Sequence, residues 1–410
     1  MKIGYLLQTG VPDMHSQPLS GPALHVKHIF EELQGRGHQV RLLAHFGQRL
    51  WRSDDLRHYE PVTVRRMDRG PSRLGERAVR RIQHELRLPY AALFESTRFA
   101  LACRQELAGY DLLYERMGWM GYAGGLAARW MQIPLILEVN GDHLTELETF
   151  GLAPQGSQKW LSLRLMSRAA RQATHTVATG EGWRHRFIER WGVNPATVSV
   201  IENGSEVVAL LKREQLRAFQ PLPTGDAPVT IAYVGGFEPW HGIMIFLRAA
   251  AKAIAQGVRL RLVLIGAGSE QHKIEQMVDE LGLRPIVCFT GALDARRMVT
   301  HLAGAQIGVS PYCGRVEYSG LKLLDYKAAG LATIASGANG QPALITHGQT
   351  GWIVPPCDAD ALSDAIVHLV RNPQERQRLG QAARQEAETM HSWSHTAQAL
   401  ENLFRQVTEQ

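Results

Sequence analysis

The chain has 410 residues, of which 45% are hydrophobic and 20% are charged, and its formal net charge is +6. This length is too great for one hydrophobic core, so two packed domains are expected. No apolar stretch approaches the roughly 18 to 20 residues that span a bilayer, which leaves only peripheral contact with a membrane.

The first apolar run, from Met1 to Leu7, is too short for a signal peptide and is predicted to be the first buried strand. The four cysteines are far apart and form no Cys-x-x-Cys or cysteine–histidine cluster, so neither a disulfide framework nor a zinc site is predicted. These features predict a cytoplasmic protein. The cysteines are Cys103, Cys288, Cys313 and Cys357.

Short apolar runs alternate with helical patterns through the first half of the chain. Such alternation predicts a parallel sheet with helices on both faces, which is a doubly wound α/β domain. The predicted strands are Ile3–Leu7, Val40–Ala44, Leu112–Tyr114, Leu135–Val139, His175–Ala178 and Val198–Ile201.

Arginines are concentrated between Arg65 and Arg87, where eight of them are opposed by three acidic residues. Val79, Ile82 and Leu86 lie on the other side of the same predicted helix. Two interpretations remain open: a basic amphipathic helix that approaches an anionic membrane surface, or a solvated helix whose apolar residues pack in the core. No nucleic-acid partner is predicted, because the segment has little aromatic content and belongs to no recognised binding module.

The second half repeats the alternation, so a second doubly wound α/β domain is predicted. The stretch from Lys212 to Pro228 has three prolines and no periodicity, and it is interpreted as the linker. A last helical run extends from Ser394 to Val407. The predicted strands are Thr230–Val234, Leu260–Ile265, Val287–Thr290, Ile307–Ser310 and Ala332–Ala335.

The segment from Cys313 to Ser336 says most about function. Gly320 opens a predicted helix, and the first amides of that helix, at Leu321 and Lys322, form a natural anion site. Asp325 falls on nearly the same face as the inward-facing residues of this helix. A buried carboxylate needs a partner. It therefore accepts hydrogen bonds from the protein itself or faces a ligand that supplies donors.

The spacing Glu317-x7-Asp325 before an Ala-x-Gly element resembles the nucleotide-binding signature of the family 4 retaining glycosyltransferases. The run from Tyr233 to Gly242 is similar to the strand and phosphate loop of that family. Gly21 to Val26, Arg36 to Val40 and Val200 to Glu206 resemble further landmarks in the same order. The resemblance covers most of the chain.

This resemblance implies a GT-B fold, in which two Rossmann-like doubly wound domains face each other across an interdomain cleft. Residues 1–211 would form the acceptor-binding domain, 212–228 the linker, and 229–385 the nucleotide-sugar-binding domain. Residues 386–410 would form a C-terminal helix that crosses back to the first domain.

The resemblance also implies roles for individual residues. Glu317 would hold the sugar hydroxyls of the donor as a catalytic residue, and Asp325 would hold the ribose hydroxyls. The remaining donor contacts would come from glycine turns, helix amides and two basic side chains. These are Gly21, Gly235, Gly236, His241, Gly242, Gly320, Leu321 and Lys322.

The sequence departs from the family pattern at several positions. Gly236 and His241 stand where many members have an arginine and a lysine, and a histidine with a pKa of about 6.5 supplies full charge only when protonated. Asp325 replaces a glutamate. Asn140 stands where the family often has histidine, and His143 is a nearby substitute, so both are candidate catalytic residues.

The function implied is a retaining transfer of sugar from a nucleoside diphosphate sugar to a hydroxyl acceptor, in glycan, polysaccharide or glycolipid synthesis. The family requires no metal or other cofactor, and the only Asp-x-Asp, Asp358-Ala-Asp360, falls at a predicted helix start. Two alternatives remain: a non-catalytic nucleotide-sugar-binding or scaffold subunit, and a nicotinamide-dependent oxidoreductase. For the latter, Gly266-Ala-Gly268 lacks the third spaced glycine.

Overall fold

The computed structural model describes residues 1–9, 11–15, 19–46, 49–68, 71–85, 92–141, 143–149, 151–211, 227–313, 320–337 and 344–409. These residues fall into two compact units. The first unit comprises Met1–His15, Ser20–Glu202 and Thr396–Gln410. Nearly all of the second unit is Asn203–His395.

The first unit is built on an eight-stranded sheet in the order β4-β3-β2-β1-β5-β6-β7-β8. The β2–β3 and β3–β4 pairs are antiparallel, and the other pairs are parallel. The central strands are buried on both faces, which explains why their sequences are almost continuously apolar. The strands are β1 (Lys2–Leu7), β2 (Gln39–Phe46), β3 (Arg49–Ser53), β4 (Glu60–Val62), β5 (Leu112–Arg116), β6 (Leu135–Val139), β7 (His175–Ala178) and β8 (Val198–Val200).

Helices cover this sheet and connect its parallel strands. They are α1 (Gly21–Gly35), α2 (Arg65–Asp68), α3 (Pro71–Glu85), α4 (Leu93–Glu106), α5 (Ala123–Met131), α6 (His143–Thr149), α7 (Gly156–Gln172) and α8 (Glu181–Trp191). One core cluster packs Leu6, Leu43 and Leu113 of the sheet against Phe99 and Ala127 of the helices.

The second unit has a six-stranded sheet in the order β11-β10-β9-β12-β13-β14. All of its strand pairs are parallel. The strands are β9 (Val229–Val234), β10 (Leu260–Ile265), β11 (Val287–Gly291), β12 (Ile307–Pro311), β13 (Ala332–Ser336) and β14 (Trp352–Ile353). The helices are α9 (Val207–Leu210), α10 (Ile243–Ala255), α11 (Gln271–Glu280), α12 (Ala295–Ala303), α13 (Leu321–Ala328), α14 (Ala359–Arg371), α15 (Pro373–Met390) and α16 (Trp393–Thr408), whose last part belongs to the first unit.

Each sheet has one point where the strand order reverses. In the first unit this point lies between β1 and β5, and in the second unit it lies between β9 and β12. Open parallel sheets bind ligands at such a point, beyond the carboxyl ends of the strands. The two reversal points therefore mark the places where each unit is built to hold a ligand.

Tyr326 of α13 occupies the reversal point of the second sheet. Only Ile307 and Gly308 of β12 pair with β9. Beyond them, the Tyr326 hydroxyl accepts a hydrogen bond from the Val234 amide at 2.7 Å and donates one to the Val309 carbonyl at 3.1 Å. The phenol thus satisfies backbone groups of two strands that have begun to diverge.

The strands predicted from sequence are all present, with ends that differ by at most two residues. The prediction omitted β3, β4 and β14. The first unit ends at Glu202, earlier than the predicted boundary after residue 211, and α9 belongs to the second unit. The predicted linker falls largely on residues 212–226, which lie outside the described residues.

The end of the final helix packs on the first unit, to which residues from Thr396 onward belong. The Phe404 ring lies 5.4 Å from the Tyr114 ring, centroid to centroid. Arg36, which follows α1, contacts Glu401 at 3.2 Å, and His38 lies 3.5 Å from the same carboxylate.

The prediction that the cysteines form no disulfide is wrong for one pair. Cys313, just after β12, is bonded to Cys357, just before α14, although 44 positions separate them in sequence. The fold brings the two segments together, and sequence spacing gave no sign of it. Cys103 and Cys288 are free.

Helix α3 exposes its apolar residues instead of burying them. Val79 is 39% exposed and Ile82 51%, so the core-packing interpretation is wrong for these two residues, and Leu86 lies outside the described residues. Leu74, on the same side of the helix, is 67% exposed. The opposite side faces the protein, where buried Glu76 pairs with Arg80 and Arg98. In the part of the chain that the structure describes, no helix is long and apolar enough to cross a membrane.

Candidate functional site

The loop after β9 is shaped by glycines that a side chain would disrupt. Gly235 has φ +136°, a conformation that favours glycine, and a Cβ there would lie 3.2 Å from Lys322 Nζ. Gly242 closes the loop with φ +65°, and a Cβ there would lie 1.8 Å from the Pro311 carbonyl oxygen. The loop is therefore held directly against the end of β12, at the reversal point of the sheet.

His241 holds the loop through a hydrogen bond and gives it no positive charge at neutral pH. The ring Nδ1 lies 2.6 Å from the Gly236 carbonyl oxygen, to which it donates as the N–H tautomer. Desolvation and then the positive charge of Lys322 lower the pKa of His241 to about 3, against a smaller raising effect of the hydrogen bond to Gly236. At neutral pH the imidazole is uncharged.

Lys322, in the first turn of α13, lies beside this loop. Its ammonium lies 4.8 Å from the centroid of the Tyr233 ring and 3.4 Å from the Tyr233 hydroxyl. That hydroxyl donates to the Gly236 carbonyl at 2.8 Å. A cation over an aromatic face is stabilised by the ring quadrupole. Tyr233 therefore holds the ammonium beside the glycine loop and the start of the helix.

The start of α13 provides backbone amides at the same place. Gly320 is its N-cap residue, and a Cβ there would lie 2.4 Å from Leu344 Cδ1. The amides of Leu321 and Lys322 belong to the first helical turn, whose N–H groups point out of the helix end and favour anions. The helix dipole and the Lys322 ammonium therefore both favour an anion at the start of α13.

Asp325 lies one turn further along α13 and is partly buried. Its Oδ1 accepts a hydrogen bond from the Ser205 hydroxyl at 2.6 Å, and the Val207 amide donates to that hydroxyl at 3.1 Å. Desolvation raises the pKa of Asp325 to about 7, helped by the nearby charge of Glu206 and opposed by the bond from Ser205. The carboxylate has a partner in the protein and titrates near neutrality.

In the first unit, Gly21 is the first residue of α1. The preceding residue, Ser20, caps that helix by accepting a bond from the Ala23 amide at 3.4 Å. His25, one turn further on, lies 2.5 Å from the Glu138 carboxylate, and both side chains are buried. This contact joins the first helix to the end of β6, which leads directly to Asn140.

The two candidate catalytic residues of this unit differ in their surroundings. The Asn140 side-chain amide nitrogen is buried and has no hydrogen-bond partner among the described residues. The His143 Nε2, at the start of α6, lies 2.8 Å from the Met117 carbonyl oxygen, to which it donates in a bond between α6 and the segment after β5. One ring nitrogen of His143 therefore has a structural partner.

The structure thus brings together most of the predicted donor-binding residues. Gly235, Gly236, His241, Gly242 and Lys322 surround one region at the end of β9, and α13 adds its first amides and Asp325. Glu317 lies outside the described residues. Gly21, Asn140 and His143 belong to the other unit.

Two sequence signals have structural explanations. Gly266 and Gly268 let the turn after β10 pack on the loop after β9, since Cβ atoms there would lie 1.9 Å from the Gly235 oxygen and 2.5 Å from the Phe237 nitrogen. Close packing therefore accounts for the two glycines on which the nicotinamide interpretation relied. Asp358 caps α14 by accepting from the Asp360 and Ala361 amides, as predicted for a helix start. The described residues contain no group of three or more His, Cys, Asp or Glu that could hold a metal.

Sequence reasoning missed Tyr233 and Ser205. Tyr233 read as an ordinary apolar strand residue. Ser205 lies within the Val200 to Glu206 landmark, so the motif itself was the available signal, but nothing in it pointed to a carboxylate 120 positions away.

Two glycosyltransferase family models match the chain. The model described as glycosyl transferase 4-like domain matches residues 20–204, and the one described as glycosyl transferases group 1 matches residues 214–386. A D-inositol 3-phosphate glycosyltransferase of Kribbella flavida is 23% identical over 73% of this chain and 72% of its own. An alpha-D-kanosaminyltransferase of Streptomyces kanamyceticus is 23% identical over 69% of this chain and 73% of its own.

Solved structures of glycosyltransferases share the whole fold. HepE of Anabaena, solved in complex with UDP, has a TM-score of 0.70 at 19% identity, over 99% of this chain and 100% of its own. A sucrose-phosphate synthase of Thermosynechococcus elongatus has a TM-score of 0.70 at 20% identity, over 99% of each chain. The predicted GT-B fold, with its two Rossmann-like domains, is confirmed.

Proposed function

The chain combines a glycosyl transferase 4-like domain with a glycosyl transferases group 1 domain, as a GT4-like glycosyltransferase does, and on that premise we propose a retaining transfer of sugar from a nucleoside diphosphate sugar to a hydroxyl acceptor. The observation that carries the proposal is the arrangement of Lys322, the first turn of α13 and the loop from Gly235 to Gly242. These groups converge at one reversal point of a parallel sheet.

The arrangement suits the charge that develops during such a reaction. As the bond between sugar and diphosphate breaks, negative charge accumulates on the leaving phosphate and positive charge on the sugar. Lys322 and the helix amides are placed to stabilise the phosphate. Gly235 and Gly236, which lack side chains, let the phosphate approach the backbone.

Asp325 holds the ribose hydroxyls in this proposal, and Glu317 the hydroxyls of the sugar. No protein side chain acts as nucleophile. A phosphate oxygen of the leaving group takes the proton of the acceptor hydroxyl on the same face, so configuration is retained. Asn140, whose side-chain amide nitrogen has no hydrogen-bond partner among the described residues, binds the sugar or the acceptor.

The transfer requires no metal in this proposal, because Lys322 and the helix end supply the compensating charge. The only Asp-x-Asp of the sequence does not suit a metal, since Asp358 caps a helix and Asp360 pairs with Lys252. Adding a chelator is expected to leave the rate unchanged. A rate that chelator abolishes and Mg²⁺ restores would contradict metal independence.

The alternative is a non-catalytic subunit that binds a nucleotide sugar. It is favoured by one observation: His241 is neutral, so the loop lacks the cation that many relatives have at this position. Turnover distinguishes the two functions. Tight donor binding without release of nucleoside diphosphate would support the subunit.

The test is release of nucleoside diphosphate from a panel of nucleotide sugars, with and without hydroxyl acceptors. UDP-glucose comes first, because HepE has been solved with that compound. Slow release from one donor is expected, and Glu317→Ala should abolish it, whereas the surface variant Glu280→Ala should not. A panel in which every nucleotide sugar stays intact would argue against the proposal.

Peripheral membrane binding through α3 is part of the proposal. Leu74, Val79 and Ile82 form an exposed apolar arc, with Arg77 and Arg81 at one edge. An apolar arc beside cations fits the boundary between headgroups and acyl chains of anionic lipids. This would place the enzyme at the inner face of a membrane.

Sedimentation with vesicles tests this association. Binding should rise with the anionic lipid content, and Leu74→Ser with Ile82→Ser should reduce it. Leu281→Ser, at an exposed leucine of the second unit, is the control. Sedimentation that does not depend on anionic lipid would exclude this role for α3.

A further inference from the structure

A cavity of about 660 Å³ lies at the reversal point of the first sheet. Its walls include Gln8 and Thr9 at the end of β1, His45 near the end of β2, and Trp119 and Met120 after β5. This volume suits a small-molecule ligand, since such pockets enclose roughly 300 to 1,000 Å³. The position is where an open parallel sheet holds its ligand.

At the end of β1, the cavity is lined by a fixed side chain, that of Gln8, and by a hydroxyl, that of Thr9. The Gln8 side chain donates to the Ser96 hydroxyl at 2.7 Å and accepts from the Ala123 amide at 2.8 Å, so both of its ends are fixed. The neighbouring Thr9 hydroxyl is buried and has no hydrogen-bond partner among the described residues. Buried polar groups normally have partners. A ligand hydroxyl would supply one.

The part of the lining that the structure describes carries no permanent positive charge. Among the described residues that line the cavity there is one carboxylate, Glu95, and no lysine or arginine. Glu95 pairs with Arg80 of α3, which is not part of the lining. The one imidazole, His45, has its pKa lowered by desolvation, so it is uncharged at neutral pH.

The rest of the described lining is largely apolar. Leu147, Leu152 and Pro154 form it together with Trp119, and Gln158 adds an amide. Aromatic and aliphatic surface binds the carbon face of a ring, whereas a phosphate would have to be desolvated here with no compensating cation among the described lining residues. This part of the lining therefore accepts a ring or a short alkyl group and disfavours an anion.

We infer that this cavity binds the acceptor, and that the acceptor is a hydroxyl compound with an apolar face and no phosphate or other anionic group. The inference rests on the proposed function, since it names the second substrate of the same reaction. Glu95 is the specificity-determining residue: its carboxylate repels anionic acceptors and attracts those that carry an amine.

Pairs of acceptors that differ only by a phosphate test the inference. Suitable probes are glucosamine with glucosamine 6-phosphate, and phenyl glucoside with its 6-phosphate. Each is measured by acceptor-stimulated release of nucleoside diphosphate and, without donor, by ligand-observed NMR. In each pair the unphosphorylated compound should bind and react at least about tenfold better, as expected for about 1.4 kcal/mol of discrimination.

Two variants separate the carboxylate from the ion pair. Glu95→Gln and Arg80→Gln both break the contact between α3 and α4, but only the first removes the negative charge from the lining. Glu95→Gln should weaken the preference for unphosphorylated compounds and for amines, and Arg80→Gln should strengthen it. If the two variants change the preference in the same direction, Glu95 acts only through the fold.

The outcomes are distinguishable from those of the proposed function. If the wild-type protein cleaves no donor at all, the proposed transferase function is wrong. If donor is cleaved but the phosphorylated member of each pair is preferred, the inference is wrong. It is also wrong if donor is cleaved and none of the unphosphorylated compounds binds.

Discussion

The Ser205 hydroxyl donates to Asp325 Oδ1 at 2.6 Å, so the carboxylate proposed to hold the ribose already has one partner in the free protein. The contact orients the side chain before any ligand binds. It also leaves the protonation state open, because burial raises the pKa of Asp325 to about 7.

Donor binding should therefore strengthen as pH rises through 7. Only the ionised carboxylate accepts hydrogen bonds from both ribose hydroxyls, and with a pKa of about 7 its population increases about tenfold between pH 6 and pH 8. Calorimetric titration of the nucleoside diphosphate should show this rise, and Asp325→Asn should bind weakly and without pH dependence. A wild-type affinity that is constant across this range would contradict the assignment.

The raised pKa of Asp325 has the opposite effect on folding: the free energy of unfolding falls as pH rises, whereas donor affinity increases. Because the pKa of Asp325 is raised in the folded state, its contribution to stability is fully present below pH 3.8 and is lost as pH rises through about 7. Asp325→Asn should therefore flatten this part of the curve of unfolding free energy against pH, as measured by urea denaturation.

Gly235→Ala should impair donor binding by displacing Lys322. The new Cβ would lie 3.2 Å from the ammonium nitrogen, at a backbone φ of +136° that alanine rarely adopts. Affinity for nucleoside diphosphate should fall about tenfold or more, which corresponds to a loss of about 1.4 kcal/mol when the ammonium is displaced. Gly257→Ala is the matched control, because Gly257 also has a positive φ but nothing within 4 Å of its Cβ position. Equal losses of affinity would rule out a role for the contact with Lys322.

His241→Ala should weaken donor binding about five- to tenfold, the effect of one lost hydrogen bond. The bond to the Gly236 carbonyl fixes the loop, and the neutral ring supplies no charge to lose. Wild-type and variant affinities should therefore differ by the same factor at pH 5.5 and pH 8. A gap that widens at the lower pH would mean that His241 acts as a cation. The exposed His272→Ala is the control.

The disulfide should stabilise the second unit. Closing a loop of 44 positions is worth about 4 kcal/mol on the chain-entropy relation for disulfides. Cys313→Ser should lower the unfolding free energy by about that amount in non-reducing urea titrations, and Cys288→Ser should not. Reductant should bring the wild-type protein to the level of Cys313→Ser, and an unchanged wild-type midpoint would contradict the prediction.

The main strands were predictable because buried parallel strands are continuously apolar. The glycine loop from Gly235 to Gly242 was predictable because sharp turns at strand ends require glycine. The short edge strands were not. β4 has three residues, Glu60-Pro-Val62, and its antiparallel pairing with β3 departs from the alternation on which the prediction relied.

Contacts between residues that are distant in sequence could not be predicted either. Asp325 was expected to need a donor, but the identity of Ser205 follows only from the fold, as does the bond between Cys313 and Cys357. The neutrality of His241 has the same origin, since the loop sequence reveals neither its burial nor the nearness of Lys322.

The hydroxyl of Tyr326 keeps β9 and β12 apart in the folded protein. It replaces the hydrogen bonds that β9 and β12 would otherwise make with each other, and its ring fits against β12 because Gly308 has no side chain: a Cβ there would lie 2.5 Å from the ring. The gap beneath the donor region is thus established when the polypeptide folds. An arriving nucleotide does not have to separate the strands, so this part of its pocket adds no reorganisation cost to association.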